Sequence, residues 1–375
     1  MGRNVRCLFL VMCFLVSGTC AQMDNDPIRQ FDFGEESVDT AGTVHVTNTT
    51  NEGKICDLKD GSPGWYLSGD DCEDVLSPTE QPLMDPSGQF VCCRNFSTYM
   101  VEKVCERLKA KDQNVRIQTL EGNHVELGDF PHMAAIGYHS DPVTNKLEFL
   151  CSGTLVSDLF VLVAAQCIAN KERNQPYLVR LGTTDLKGSF DTNYTDYLIA
   201  QSIVHPEYDR LKKKNDIGLL RLARKVKKFT KTIHPACLDC GLEDPRTTMI
   251  LVAFDLIGMT MQKSSVATVS HRKCEAVYNG SATFRRLYPE GLPQTQMCAS
   301  MVPGQNGAYQ CERAIGAIHL PVENTSSLYT VVGLQSYGRT CRTGVPDVFT
   351  RVTKYLPWIT KTVWPEGDIS FADDY

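Results

Sequence analysis

Acyl-transfer chemistry on a protein scaffold commonly needs a hydroxyl nucleophile, an imidazole that takes its proton and a carboxylate that orients the imidazole. This chain supplies a carboxylate, Asp216, within Asn215-Asp216-Ile-Gly-Leu-Leu-Arg-Leu222. Two other segments of the chain offer neither partner group. Val163-Ala-Ala-Gln-Cys167 offers Gln166, a neutral amide that does not titrate near neutral pH and does not act as a general base. Cys311-Glu-Arg-Ala-Ile-Gly-Ala-Ile318 contains no serine, and none follows before Leu320. His132, His139, His205 and His234 have no candidate nucleophile beside them. Neither a metal nor a cofactor is expected.

Arg3 and Arg6 precede an apolar run from Cys7 to Val16 and a small-residue exit through Ser17, Gly18 and Ala21. That is the order of a secretory signal peptide over residues 1–21, and the run is short for a membrane anchor. The chain has 16 cysteines, and Cys7, Cys13 and Cys20 lie in that leader, which leaves 13 for an oxidising compartment where disulfides persist. An odd count leaves one thiol unpaired or shared with a partner. Export also makes sequons at Asn48, Asn95, Asn193, Asn279 and Asn324 candidates for glycosylation. A secreted, extracellular protein is expected, and the net charge of -6 argues against nucleic-acid binding.

The composition divides the chain. Residues 22–54 are polar and acidic, with Asp24, Asp26, Asp32, Glu35, Glu36 and Asp39, and read as a flexible arm. Residues 55–93 hold Cys56, Cys72, Cys92 and Cys93 among glycines and prolines, too small a piece to bury a core without bridges. Adjacent cysteines seldom bond each other, so Cys92 and Cys93 should each reach back to Cys56 or Cys72. Residues 94–118 read as a linker with a short helix around Met100 to Ala110. From about residue 119, short apolar or alternating runs recur between turn residues. They are Met133–Tyr138, Leu147–Leu155, Phe160–Ala165, Tyr177–Leu181, Tyr197–Val204 and Ile217–Leu222, then Ile250–Ile257, Ser265–Val269, Tyr329–Leu334 and Val348–Val352. That pattern predicts an all-β sandwich or barrel. Thr353–Val363 reads as a helix with Pro357 in its first turn, and residues 364–375 as an acidic tail.

Cys151-Ser-Gly-Thr-Leu-Val, Val163-Ala-Ala-Gln-Cys167 and Asn215-Asp216-Ile-Gly-Leu-Leu-Arg-Leu222 together resemble the first-barrel signatures of trypsin-like serine proteases. Gly128-Asp-Phe-Pro-His-Met-Ala-Ala-Ile-Gly-Tyr138 resembles that fold's opening strand, and Arg351-Val-Thr-Lys-Tyr-Leu-Pro-Trp-Ile359 its closing strand and helix. With the cysteine module upstream, which is similar to a clip domain but has four cysteines in place of six, the chain resembles the arthropod clip-domain proteases and their non-catalytic homologues. The resemblance covers residues 119–363 and implies two packed six-stranded antiparallel barrels with a C-terminal helix.

It also implies roles. Gln166 stands where the family has its histidine, Asp216 where it has its aspartate, and Ile315 where it has its serine. Arg313 replaces an oxyanion-hole glycine, and Ala314 the aspartate that pairs with the new amino terminus after activation. Tyr309 stands at the base of the specificity pocket, Asp347 on its wall, and Gln335-Ser-Tyr-Gly338 on the strand that pairs with substrate backbone. The implied bridges are Cys56–Cys92, Cys72–Cys93, Cys105–Cys237, Cys151–Cys167, Cys274–Cys298 and Cys311–Cys341, with Cys240 left over, although Cys237 and Cys240 are close enough to exchange roles. Family members are cut ahead of a segment that falls here at Thr119–Gly122. Gln118 precedes it, and Arg116-Ile117 is a shifted candidate, or else a plain basic residue in a linker.

The expected role is a cofactor, adaptor or decoy in an extracellular protease cascade of innate defence such as melanisation. Its partners would be clip-domain proteases, their substrates or recognition proteins. A weak hydrolase with a rewired site and a direct pathogen-surface binder are the alternatives. Arg210, Lys212, Lys213 and Lys214, with Lys225, Lys227, Lys228 and Lys231 further on, read either as solvated loops or as a docking patch for an acidic partner or polyanion.

Overall fold

The structure is a computed structural model. It describes residues 55–58, 63–67, 83–93, 96–111, 125–141, 146–169, 175–188, 194–241, 243–302, 315–322, 328–338 and 345–365.

Four short strands open the described chain: β1 (Ile55–Asp57), β2 (Pro63–Leu67), β3 (Leu83–Met84) and β4 (Val91–Cys93). They form one sheet in the order β1-β2-β4-β3. Cys56 on β1 is bonded to Cys92 on β4 across it. A buried Asp85 ties the turn between β3 and β4, accepting from the backbone of Gln89 (3.0 Å) and Phe90 (2.9 Å).

The stretch expected as a linker carries a 16-residue helix, α1 (Phe96–Lys111). Met100, Val104 and Leu108 recur at i, i+4 and i+8, with Val101 beside them, so one face is apolar and buried. The charged residues Lys103, Glu106, Arg107 and Lys109 on its other positions are what make the segment read as polar. The buried face joins a cluster with Leu356, Ile359 and Val363 of the C-terminal helix.

The first barrel is closed in the order β10-β7-β6-β5-β8-β9. Its strands are β5 (Met133–Asp141), β6 (Lys146–Leu155), β7 (Phe160–Val163), β8 (Pro176–Leu181), β9 (Thr195–Val204) and β10 (Gly218–Leu222). The pairings are antiparallel, and closure leaves no free edge. Gly153 on β6 sits where an added Cβ would lie 2.6 Å from Val161, so only glycine lets these strands approach.

After a two-residue strand, β11 (Cys237–Leu238), the second barrel follows. It comprises β12 (Met249–Phe254), β13 (Met261–Val269), β14 (Gln296–Met301), β15 (Ala317–Pro321), β16 (Tyr329–Tyr337) and β17 (Asp347–Arg351). Pairing of β16 with β17 closes these six strands, and β11 adds to β16 in parallel. β12 is buried at all six positions, as a strand covered on both faces must be. Two short helices, α2 (His271–Tyr278) and α3 (Ala282–Leu287), lie between β13 and β14. The chain then turns through a 3-10 segment (Val352–Tyr355) into α4 (Leu356–Val363), whose Pro357 sits in the first turn, where no backbone N–H is needed.

Candidate functional site

Asp216 lies just before β10, on the first barrel, and is fully buried. Its carboxylate is surrounded by donors. The backbone N–H and the Nε2 of Gln166, in the 3-10 turn Ala165–Cys167, donate to Oδ1 and Oδ2, each at 2.9 Å. Ser336 on β16 donates its hydroxyl to Oδ2 at 2.6 Å. Thr350 on β17 donates to the Asp216 backbone oxygen at 3.0 Å, so both barrels hold this residue. Burial pushes the Asp216 carboxyl up to about 6, opposed by the Ser336 and Gln166 hydrogen bonds and by the nearby Lys213 ammonium.

Gln166 is equally committed. Its second Nε2 hydrogen goes to the Ser336 backbone oxygen at 2.6 Å, and its Oε1 accepts from Lys213 Nζ at 3.0 Å. Both amide hydrogens are in use and the carbonyl is capped by a cation. Lys213 itself is held at φ 50°, and burial lowers its ammonium below the usual lysine value.

Ile315 is half-buried and packs against the first-barrel cluster that contains Cys151, Ala164 and Cys167, on either side of Gln166. Its carbonyl accepts from Ser152 N–H at 2.9 Å. Its side chain is hydrocarbon, so the space beside Gln166 presents no nucleophilic atom from this residue. Further along, Gln335 on β16 links the residue just before β15 to β17. Its Oε1 accepts from Gly316 N–H, and its Nε2 donates to Asp347 Oδ2, each at 3.3 Å. The Asp347 carboxylate lies so close to Gly338 that a methyl group there would collide with it.

The sequence profile of the family described as Trypsin matches residues 119–359. The chain belongs to the trypsin family. Over 272 residues it is 29% identical to Serine protease Hayan of Drosophila melanogaster, a match covering 70% of this chain and 42% of that protein. It therefore spans less than half the length of that relative. It is 27% identical over 295 residues to Phenoloxidase-activating factor 3 of Holotrichia diomphalia, covering 74% of this chain and 81% of that one. The crystal structure of the Drosophila Grass clip serine protease of the Toll pathway superposes with a TM-score of 0.55 at 20% identity, over 83% of this chain and 98% of that one, a likeness of fold.

Within this trypsin-family frame the structure brings Gln166, Asp216, Ser336 and Lys213 into one network, with Ile315 beside it. Tyr309, Arg313 and Ala314 lie outside the described residues, as do Arg116, Asn48, Asn95, Asn193, Asn324, Cys72, Cys311 and Cys341. Asn279 is exposed at the end of α2. Disulfides join Cys105 to Cys237, Cys151 to Cys167 and Cys274 to Cys298, and Cys240 is a free thiol, half-buried, whose pKa burial and the Glu102 and Asp239 carboxylates push up to about 11. No group of side chains among the described residues would hold a metal.

The lysines of the basic run are placed differently from one another. Lys213 turns inward onto Gln166, while Lys212 and Lys214 line a surface cavity. Lys225 pairs with the buried Asp158 at 3.0 Å. Two participants escaped the sequence reading. The Ser336 hydroxyl lies in Gln335-Ser-Tyr-Gly338, whose residue types do not announce a bond to Asp216. Lys213 was hidden by the lysines on both sides.

Proposed function

We propose that this chain is a secreted, non-catalytic member of the trypsin family that works as a cofactor, adaptor or regulator in an extracellular clip-protease cascade of innate defence. The observation that carries the proposal is the Gln166 amide, bonded to Asp216 and Ser336 through nitrogen and to Lys213 through oxygen. At the position matching the family's histidine it can neither take nor return a proton at neutral pH. Ile315, at the position matching the serine, brings no oxygen to a substrate. Asp347 set against Gly338 narrows the wall where a substrate side chain would enter.

What remains is a folded trypsin-like body with an upstream disulfide module, suited to binding. The relatives' names support the cascade: one is a phenoloxidase-activating factor, and the Grass protease structure is assigned to the Toll pathway. The proposal includes entry to the secretory pathway by residues 1–21, and processing after Arg116 that yields two disulfide-linked chains through Cys105–Cys237.

The test has two arms. The purified, processed chain is treated with a fluorophosphonate probe and a panel of peptide and ester substrates, and neither labelling nor turnover above background is expected. The same chain is then added to a reconstituted activation reaction of clip-domain proteases, where it should change the rate at which the downstream zymogen is converted. Stoichiometric labelling by the probe would overturn the non-catalytic assignment. An unchanged activation rate, with binding only to microbial surfaces, would overturn the cascade role.

A further inference from the structure

Lys212 and Lys214 are two residues apart, and the backbone between them is held in an uncommon shape. Lys213 and Asn215 both have positive φ, 50° and 53°, a region that non-glycine residues enter only where their surroundings determine it. Here the surroundings are explicit. Tyr288 donates its hydroxyl to the Lys212 carbonyl, and Gln296 Nε2 donates to the Lys213 carbonyl at 2.9 Å. The Lys214 carbonyl accepts from Asp209 N–H at 3.0 Å. Asn215 donates through Nδ2 to the Glu207 carbonyl at 2.9 Å and accepts from Tyr355 at 2.8 Å. The middle lysine is spent on Gln166, so the outer two are presented by a fixed scaffold.

Both outer lysines line a cavity of about 380 Å³. It is also lined by the end of α3 and the segment that follows, with Leu287, Pro289 and Pro293 as partly exposed apolar surface above the buried Leu292, and Glu290 as its one carboxylate. Lys212 and Lys214 form no ion pair among the described residues. The volume falls within the roughly 300–1,000 Å³ usual for ligand sites.

We propose that this cavity is a docking site for an acidic, partly apolar peptide segment of a partner protein. Two ammonium groups would take carboxylates, and Leu287 with Pro289 and Pro293 would cover the apolar side chains between them. Glu290 would accept a peptide N–H. A densely sulfated sugar fits less well, because it would set its charge against Glu290 and leave Leu287, Pro289 and Pro293 uncovered. The site builds on the reading of the chain as a binding protein but uses none of the residues that decide catalysis. Binding and hydrolysis therefore report on it separately.

The experiment uses the full-length secreted chain and a fluorescent synthetic decapeptide alternating Asp with Leu or Phe. Controls are the same peptide with Asn for Asp, and a heparin-derived oligosaccharide. The variants are Lys212→Glu with Lys214→Glu, the milder Lys212→Met with Lys214→Met, and the exposed pair Lys227→Glu with Lys228→Glu. The acidic peptide should bind the parent and the Lys227/Lys228 variant alike. It should bind at least tenfold more weakly to both Lys212/Lys214 variants, and the Asn peptide should lose a similar factor on the parent. Failure of the acidic peptide to bind the parent would overturn the proposal. So would equal loss in the Lys227/Lys228 variant, unchanged binding to the methionine variant, or tighter capture of the oligosaccharide at Lys212 and Lys214.

Discussion

Asp216 and His132 are both fully buried polar side chains where the two barrels meet, and the chain treats them in opposite ways. Asp216 receives hydrogen bonds from Gln166 and Ser336, and its ammonium neighbour Lys213 is itself fixed on Gln166. His132 packs among Phe130, Tyr329 and His319, its ring centroid 4.6 Å from that of His319, and neither of its ring nitrogens has a hydrogen-bond partner. The first is a satisfied network that spans both barrels. The second is an imidazole kept for its shape and held neutral by burial. The contrast teaches that titratable groups near a cleft do not by themselves mark chemistry. What counts is whether a proton has a route between partners, and here Asp216 faces an amide.

The largest effect should come from removing the satisfied member. Asp216→Ala strands the donors of Gln166 and Ser336, and breaking such a buried charged network costs about 3–5 kcal/mol. Urea unfolding would measure it, and a loss below about 1 kcal/mol would show that the network does not tie the barrels together.

Next is activity. Gln166→His with Ile315→Ser restores a base and a nucleophile beside Asp216. On the proposed reading, in which Arg313 and Ala314 stand at the oxyanion-hole and activation positions, the variant should nevertheless stay near background on arginine and lysine peptides, and Asp347 crowds Gly338 besides. Loss of one oxyanion donor alone costs on the order of 10² to 10³ in rate. Turnover near that of an ordinary trypsin-like enzyme would erase the contrast drawn above, since the site would then lack two side chains only.

His132 gives a pH signature. Burial, with His319 and His234 nearby, lowers its pKa well below 6.5, so its share of stability is present above the unfolded value and is lost as pH falls below it. His132→Phe should therefore flatten the acid side of the stability curve, gaining progressively on the parent as pH falls from 6.5 to 5. Asp216 has the opposite sign. Its raised carboxyl stabilises the fold below the unfolded carboxylate value and loses that contribution as pH rises through about 6. Chemical denaturation at four or five pH values separates the two, and parallel curves for parent and His132→Phe would contradict the buried neutral imidazole. The smallest effect belongs to Lys213→Met, which uncaps the Gln166 carbonyl at a cost of about 1 kcal/mol by thermal melting.

Much of this was legible beforehand, for physical reasons. Strands β5 to β10 announce themselves because their apolar runs are bounded by Gly, Pro, Asn and Asp, and the two barrels follow from the joined motifs around Cys151, Cys167 and Asp216. Gln166 and Ile315 were readable because residue type alone denies them the chemistry. β14 and β15 were not, since Gln296 and His319 interrupt their apolar pattern, and both become buried only through distant partners. α1 was underestimated because its four buried apolar residues, among those described, are spaced along a helix rather than in a run. The Lys213 contact could not be read at all. It depends on a left-handed backbone turn and a glutamine 47 positions away.

The seating of α1 changes what a cut in the chain would mean. Beyond the Cys105–Cys237 bond, the helix is held by Met100, Val101, Val104 and Leu108 against the α4 cluster, and by the Thr360 hydroxyl donating to Ser97 at 3.1 Å. A break after Arg116 would thus yield a particle whose two pieces co-elute on a sizing column even in mild reductant. The separation seen on a reducing denaturing gel would be a product of the detergent. A nicked molecule would carry its small disulfide module wherever the barrels go, and any signal encoded by the cut would have to be a change of surface rather than the departure of a fragment.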